Sequence, residues 1–283
     1  MEVDIDHIQS WIGNKQTKSE VLTPTLVEKF NATFDRESGT ATGDEAPILI
    51  HLCLAQPAVP MSGLGRDGHP ELGDFLPTVP LPRRMWAGGT FEFLDKIRIG
   101  ETVSRHSTIA DVQLKEGRSG RLCFVTVEHE VRSDGRLALT ERQDIVYRDI
   151  PLSDDNQKPA STDSIEAAIG KHSRTIKPHP TLLFRYSALT FNGHRIHYDK
   201  PFCIETEGYP GLVVHGPLQA TMLCQFAADL KNDPPRTFRF RSISPLFDNT
   251  GFTLNAEEAI ELTLNLWTAA PAGPVAMQAQ AQW

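Results

Sequence analysis

Residues 183–224 read LFRYSALTFNGHRIHYDKPFCIETEGYPGLVVHGPLQATMLC, and the rest of the chain is organised around them. Apolar runs at 186–191 and 211–214 bracket a short polar segment. Its polar members are Asn192, His194, Arg195, His197, Tyr198 and Asp199. A hydrophobic core does not usually contain a cluster of such polar side chains, because buried polar groups need hydrogen-bond partners. The segment is therefore the first candidate for chemistry.

A helix is predicted to begin at His215-Gly216-Pro217. Pro217 suits the first turn of a helix, where the missing N–H has no partner anyway. The apolar residues that follow recur at helical spacing. They are Leu218, Met222, Leu223, Phe226, Ala227 and Leu230. This stripe predicts core packing for the helix body, so only the amino end is a candidate for chemistry.

The run TFNGHRIHYD (190–199), followed by YPGLVVHGPLQATML (209–223), resembles the MaoC-like hot dog hydratases. That family's signature is Ser/Thr-Gly-Asp-x-Asn-Pro-apolar-His-x-Asp. His197 and Asp199 keep their places. The signature's Gly, Asp, Asn and Pro are replaced here by Phe191, Asn192, His194 and Arg195. With these departures the run looks like the sub-branch of itaconyl-CoA and mesaconyl-C4-CoA hydratases and 3-hydroxyacyl-thioester dehydratases.

The resemblance implies an α+β double hot dog fold, in which two curved antiparallel sheets each wrap a central helix. It implies an N-terminal module over 1–150, a polar connection over 151–178 and a C-terminal module over 179–283 that carries the motif. Alternation and β-branched residues predict strands in both halves. They are expected at 91–93, 102–113, 120–132, 137–147, 181–185, 236–243, 251–258, 259–269 and 275–283.

Two helices are predicted near the start of the chain, over 3–11 and from Thr23-Pro24 onward. Residues 47–54 form an apolar run that predicts either a strand or a buried helix. Residues 56–90 are rich in Pro and Gly but keep apolar anchors such as Phe75 and Trp86. A stretch of this length is too long for a simple connection. It is predicted to be a binding loop or a partly mobile cover, with a disordered linker as the alternative.

The amino-acid composition limits the class of protein to which the chain can belong. Hydrophobic residues make up 40% and charged residues 23% of the chain, as in globular proteins. The net charge of −8 argues against general nucleic-acid binding. Four scattered cysteines without metal-ligand spacing predict reduced thiols. No apolar segment approaches the roughly 20 residues that span a bilayer, and the acidic start lacks a signal peptide. These features predict no membrane association and a cytoplasmic location.

Hydration of an unsaturated thioester needs a base for water, an acid for Cα and donors for the enolate oxygen. His197 is predicted to be the base, because an imidazole titrates near neutral pH. Asn192 cannot accept a proton, so it either orients the water or forms a turn with Gly193. The resemblance implies that the Gly216 N–H binds the thioester oxygen. His215 is assigned a structural role.

Several residues are predicted to contact the acyl-CoA substrate. Arg195 either binds a substrate carboxylate or braces its loop, and His194 is a further candidate for substrate contact. His197 either transfers the proton alone or shares the transfer with His194 or Asp199, and Asp199 is favoured to cap or orient. Arg185 and Tyr186 are further candidates for the carboxylate. Arg83, Arg84 and Trp86 are predicted to border the acyl or CoA tunnel.

The leading functional hypothesis is a hydratase (carbon–oxygen lyase) that converts itaconyl- or mesaconyl-CoA into citramalyl-CoA. One alternative is a 3-hydroxyacyl-thioester dehydratase of fatty-acid synthesis, and another is a non-catalytic acyl-thioester-binding protein, which Asn192 favours. A thioesterase is a weaker alternative, because no GxSxG or Cys/His arrangement is visible. No metal and no separate cofactor is expected, since CoA is part of the substrate. A homodimer is compatible with the fold.

Overall fold

The computed structural model describes residues 4–117, 120–149 and 165–283, and these ranges contain four α-helices and ten strands. The helices are α1 Ile5–Gln9, α2 Pro24–Phe34, α3 Pro180–Leu189 and α4 Gly216–Lys231. The strands of the first half are β1 Lys15–Val21, β2 Arg83–Phe93, β3 Thr102–Gly117, β4 Gly120–Ser133 and β5 Arg136–Arg148. Those of the second half are β6 His172–Ile176, β7 Thr237–Ser242, β8 Phe252–Glu258, β9 Thr263–Ala269 and β10 Val275–Gln282.

All ten strands belong to one antiparallel sheet whose two halves repeat the same order. The first half runs β1-β3-β4-β5-β2 and the second runs β6-β8-β9-β10-β7. The halves join through the β2–β7 pair, in which Phe91 faces Phe238. In sequence, α2 lies between the first and second strand of the first half, and α3 and α4 lie between the first and second strand of the second half. This repetition confirms the predicted α+β double hot dog.

The core of the second half is built on α4, which contacts β7, β8, β9 and β10. Ten consecutive residues of this helix, Leu218 to Ala227, are buried. Each fully buried Leu or Phe contributes about 1.5–3 kcal/mol relative to exposure. The same core extends across the β2–β7 seam through Phe91 and Phe240, whose ring centroids are 5.7 Å apart. The amino end of α4 therefore lies near the junction of the two halves.

The strand predicted at 181–185 is wrong, because these residues form part of helix α3. Pro180 occupies the first turn, and the Nδ1 atom of His179 accepts a hydrogen bond from the Thr181 N–H at 3.2 Å. An N-terminal Pro with a capping side chain favours a helix. The run LLFRY is apolar enough to be buried in either type of element, so its composition did not decide between them.

Other predicted boundaries also change. The end of the connection predicted over 151–178 contains strand β6, which pairs with β8, while 150–164 lie outside the described residues. Strand β1 was not predicted, and β2 begins at Arg83 rather than at 91. Residues 259–262 form a turn before β9, and 50–53 form a short 3-10 helix.

The four cysteines are free and buried, as predicted for reduced thiols. They are Cys53, Cys123, Cys203 and Cys224. Among the helices that the structure describes, none combines the length and apolar character needed to cross a membrane.

Candidate active site

The polar motif forms the loop after α3. Phe191 adopts the left-handed conformation with φ +48°, and the chain then turns back on the helix. The Asn192 N–H donates to the Ser187 carbonyl at 2.8 Å, and the Asn192 Oδ1 accepts from the His194 N–H at 3.0 Å. Asn192 therefore holds the turn, which is one of its two predicted roles. Its role toward water stays a prediction.

Arg195 braces this loop. Its Nε and Nη2 atoms donate to the Asp199 Oδ2 at 3.0 and 2.7 Å, and its Nη1 donates to the Arg66 carbonyl at 3.2 Å. The guanidinium also lies over the Phe202 ring at 4.0 Å. These contacts support the bracing alternative, and they leave binding of a substrate carboxylate by Arg195 as an untested prediction.

His197 lies on a 3-10 turn, Arg195–His197, and is buried. Its Nδ1 lies 2.7 Å from the Val213 carbonyl oxygen. A carbonyl only accepts, so Nδ1 carries the hydrogen and Nε2 keeps a free lone pair. Burial lowers the pKa of His197 to about 3. The expectation that this imidazole titrates near neutral pH is therefore wrong, because desolvation disfavours its charged form.

The His197 ring stacks on His215, the residue that precedes α4. Their ring centroids are 3.6 Å apart and the planes differ by 19°. His215 is fully buried, its Nε2 hydrogen-bonds the Ser187 hydroxyl at 2.8 Å, and Tyr186 packs edge-on at 5.1 Å. This stack fixes His197 beside the amino end of α4.

The amino end of α4 offers free donors. No side chain of the described residues caps the helix, and the first N–H groups of any helix lack intrahelical acceptors. A Cβ on Gly216 would lie 3.7 Å from the Ser242 Oγ and 3.8 Å from the Trp86 ring. Among the described atoms, the buried Trp86 Nε1 and Ser242 Oγ lack a hydrogen-bond partner. An anionic oxygen is stabilised at such a helix terminus.

A second group of polar residues reaches this site from the first half. The turn at 64–70 carries Asp67 and His69, and the Asp67 Oδ2 lies 2.7 Å from the His69 Nδ1. The His69 ring packs on His194 with the centroids 4.0 Å apart and the planes tilted by 38°, and His194 meets His197 edge-on at 5.3 Å. The rings of His69, His194, His197 and His215 therefore form one continuous array, the histidine cluster.

Two glycines allow the turn at 64–70 to dock on the motif loop. A Cβ on Gly68 would lie 2.0 Å from the Gly193 carbonyl oxygen, and one on Gly193 would lie 2.6 Å from the Gly68 oxygen. The Arg195 N–H also donates to the Asp67 carbonyl at 2.8 Å. The segment 56–90 thus covers the motif, as one of its predicted alternatives required.

The ligand atoms of Asp67, His69 and His194 lie within 4.8 Å of one another, close enough to surround a metal ion. The His69 Nδ1 and the Asp67 carboxylate are already hydrogen-bonded to each other. The positive charge of Arg84 also acts on both imidazoles, which disfavours a further cation. The absence of a metal remains a prediction.

The predicted arginines have different surroundings. Arg84 pairs in register with Tyr147 on β5, and within the described chain no carboxylate forms an ion pair with it. Arg83 is buried in an ion pair with Glu207. Arg185 donates to the Ala32 carbonyl and lines a cavity of about 570 Å³ between α2 and α3, whose lining does not include His197.

Asp67 and His69 were not singled out from the sequence. They belong to the run GRDGHP inside the segment 56–90. The prediction that this segment forms a cover was the only indication in the sequence that they could reach the site. Their contact with His194 joins residues more than a hundred positions apart. The Val213 carbonyl, which orients His197, is a backbone atom and carries no sequence signal.

Comparisons with known proteins identify the family. The family model of hydroxyacyl-thioester dehydratase type 2, Htd2, matches residues 48–248. The chain is 42% identical over 248 residues to the mesaconyl-C(4)-CoA hydratase of Chloroflexus aurantiacus, covering 87% of this chain and 88% of the relative.

Solved structures share the fold. A MaoC-like dehydratase from Phytophthora capsici superposes with a TM-score of 0.71 at 14% identity, covering 99% of each chain. A conserved protein of Mycobacterium tuberculosis described as a double hot dog fold superposes with a TM-score of 0.59 at 11% identity, covering 96% of each chain. The chain therefore belongs to the Htd2 family of MaoC-like hot dog dehydratases, and it is an enzyme of the hydratase–dehydratase type.

Proposed function

We propose that the enzyme adds water to a branched C5-dicarboxylyl-CoA, itaconyl-CoA or mesaconyl-C4-CoA, and forms citramalyl-CoA. The identity with the Chloroflexus hydratase supports a CoA thioester as the substrate class. The observation that carries the dicarboxylate is the position of Arg84. In both substrates the carboxylate is attached to the carbon that receives the water oxygen, so its cation must lie beside the acid–base groups.

Arg84 meets this requirement. It lies two residues before Trp86 on β2, so both side chains leave the same face of the strand, and the Trp86 ring lies 3.8 Å from a Cβ built on Gly216. Its positive charge also contributes, after burial, to the lowered pKa of His69. No carboxylate of the described residues pairs with it, whereas Arg195 is engaged by Asp199. A guanidinium without a carboxylate partner among the described residues suits a planar substrate carboxylate, because it can donate two parallel hydrogen bonds.

The remaining groups take the roles that the reaction needs. The His197 Nε2 accepts a hydrogen bond from the attacking water, and Asn192 and His194 border the water. The Gly216 N–H and the α4 terminus bind the thioester oxygen as it becomes negative. Trp86 borders the space for the acyl chain. Tyr186 packs against the stacked rings of His197 and His215. A cytoplasmic location and a homodimer remain predictions from the sequence.

A second candidate is dehydration of 3-hydroxyacyl thioesters with uncharged chains, which the description of the matching family favours. This dehydration is the reverse of hydration, so it would use the same acid–base groups and the same donors to the thioester oxygen. It would not need Arg84.

The test compares mesaconyl-C4-CoA, itaconyl-CoA and crotonyl-CoA as substrates of the purified enzyme. We expect the highest kcat/KM with a dicarboxylate. Arg84→Gln should lower that kcat/KM by about tenfold or more, since a charge-assisted hydrogen bond contributes about 1.5–3 kcal/mol. The same variant should change crotonyl-CoA hydration by less than about threefold. Arg142→Gln, which removes an exposed ion pair with Asp144, is the control.

A wild-type preference for the uncharged thioester would favour the dehydratase candidate. An equal loss on both substrate types in Arg84→Gln would contradict recognition of the carboxylate by Arg84.

A further inference from the structure

Adding water to a double bond conjugated with the thioester, as in mesaconyl-C4-CoA and crotonyl-CoA, moves one proton from the water oxygen to Cα. Some group must hold this proton while the thioester enolate exists. Asn192 cannot, because an amide does not accept a proton at neutral pH. His197 is poorly suited to hold it, since its buried ring stacks on His215, hydrogen-bonds the Val213 carbonyl and has no carboxylate partner among the described residues. The cluster therefore needs another proton carrier.

His69 has the partner that His197 lacks. Its Nδ1 donates to the Asp67 Oδ2 at 2.7 Å, which leaves Nε2 free to take a proton. Burial alone would raise the pKa of Asp67, but the hydrogen bonds and charge of His69 outweigh it and hold the pKa well below its usual range. An imidazolium on His69 would therefore be paired with an ionised carboxylate.

His194 is less suited to the role, although it lies between His69 and His197. Its Nε2 is 3.9 Å from the Asp67 Oδ2, which is beyond hydrogen-bond distance. Solvent access also differs across the cluster. The His69 side chain is 19% and the Asp67 side chain 29% exposed, whereas His215 is fully buried. Water can thus reach the cluster from the Asp67 side.

We propose that the Asp67–His69 pair is the acid–base group of the reaction. The His69 Nε2 takes a proton from the attacking water while the water oxygen bonds to Cβ. The π electrons of the double bond move to the thioester oxygen, which the Gly216 N–H stabilises. His69, now an imidazolium paired with Asp67, returns the same proton to Cα, and the enolate collapses to the thioester. Atoms and charge balance without a co-reactant.

This assignment gives the turn at 64–70 a catalytic purpose. The turn delivers an acid–base pair from the first half of the chain to the motif of the second half, where Asn192 provides none. The proposal rests on the hydratase activity but not on the dicarboxylate. If the wild type hydrates only uncharged thioesters, the proposed substrate fails while the pair can still be tested on them.

The test measures kcat, KM and the pH profile of kcat/KM with the thioester that the wild type hydrates fastest. His69→Gln should lower kcat by about 10²- to 10⁴-fold, the usual contribution of a general acid–base group. Asp67→Asn should lower kcat by about tenfold or more. KM should stay within about threefold in both. His106→Gln, which alters an exposed histidine on β3 bonded to Thr17, should match the parent.

The pH profile separates catalysis from a purely structural role. The groups that act on His69 are Asp67 in its own turn, Arg84 on β2, and His194 and His197 in the motif loop. Asp67 favours the charged form of His69, so Asp67→Asn should move the acidic limb of the profile to lower pH. A merely structural change would lower the plateau and leave the limb in place.

Three results would overturn the proposal. The first is a His69→Gln enzyme with kcat within threefold of the parent. The second is an unmoved acidic limb in Asp67→Asn. The third is loss of wild-type activity on dialysis against a chelator with recovery on adding Zn²⁺, because the same side chains would then hold a metal. Circular dichroism and unfolding midpoints check that both variants fold.

Discussion

At the scale of single residues, the site depends on imidazoles held neutral by burial. His197 donates from Nδ1 to the Val213 carbonyl, so its Nε2 is available to water over the whole physiological range. The His215 ring stacks on the His197 ring, and its Nε2 hydrogen-bonds the Ser187 hydroxyl. The tautomer of His197 is therefore set by a backbone atom rather than by another side chain.

His197→Gln tests this arrangement. A glutamine can still donate to the Val213 carbonyl, but it offers no basic nitrogen. We expect kcat to fall by about 10²- to 10³-fold, as for the loss of a group that positions and polarises the attacking water. The unfolding midpoint in urea should stay close to that of the parent. A variant with nearly full activity would remove His197 from the reaction.

At the scale of elements, the two halves meet where the turn at 64–70 docks on the motif loop. The approach of Gly68 to Gly193 leaves no space for a side chain on either residue. A small displacement here would separate the Asp67–His69 pair from His194 without removing a functional group.

Gly68→Ala and Gly135→Ala form a matched pair that tests this docking. Both glycines have positive φ, +87° and +82°, but a Cβ at 135 would meet nothing within 4 Å. Backbone strain should destabilise the fold by about 1 kcal/mol in each variant, and the contact of the new Cβ with the Gly193 oxygen should add to this in Gly68→Ala. Only Gly68→Ala should also lower kcat, by about tenfold or more, in a steady-state assay. Equal activities in the two variants would show that the docking does not position the catalytic groups.

The elements also show how far the sequence predicts the structure. The motif, the helix at Gly216 and most strands could be predicted because each has a local periodic pattern. Strand β1, KQTKSEV, was missed because it is an exposed edge strand without an alternating pattern. The join between Asp67 and His194 could not be predicted, since it depends on tertiary packing rather than on any local signal.

At the scale of the whole molecule, burial of neutral histidines links stability to pH. Burial is the largest cause of the lowered pKa of five described histidines in both halves. They are His69, His129, His194, His197 and His215. In the unfolded chain each binds a proton near pH 6.5, whereas in the folded chain each stays neutral to lower pH. Below about pH 6.5 the unfolded state therefore binds more protons than the folded state. The free energy of unfolding must decrease there as the pH decreases.

The free energy of unfolding, measured by urea denaturation, should decrease steadily between about pH 6.5 and pH 5. Each buried neutral histidine contributes about 1.4 kcal/mol per pH unit in this window, so one whose folded pKa is about 3 accounts for about 2 kcal/mol. His129→Gln removes such a group far along the chain from the motif, where it hydrogen-bonds Ser107 and Gln143. Its decrease in unfolding free energy between pH 6.5 and pH 5 should be smaller than that of the parent, even if the variant is less stable at neutral pH. A parent whose stability does not change over this window would contradict neutral burial of the cluster, and with it the state in which His197 and His69 meet the substrate.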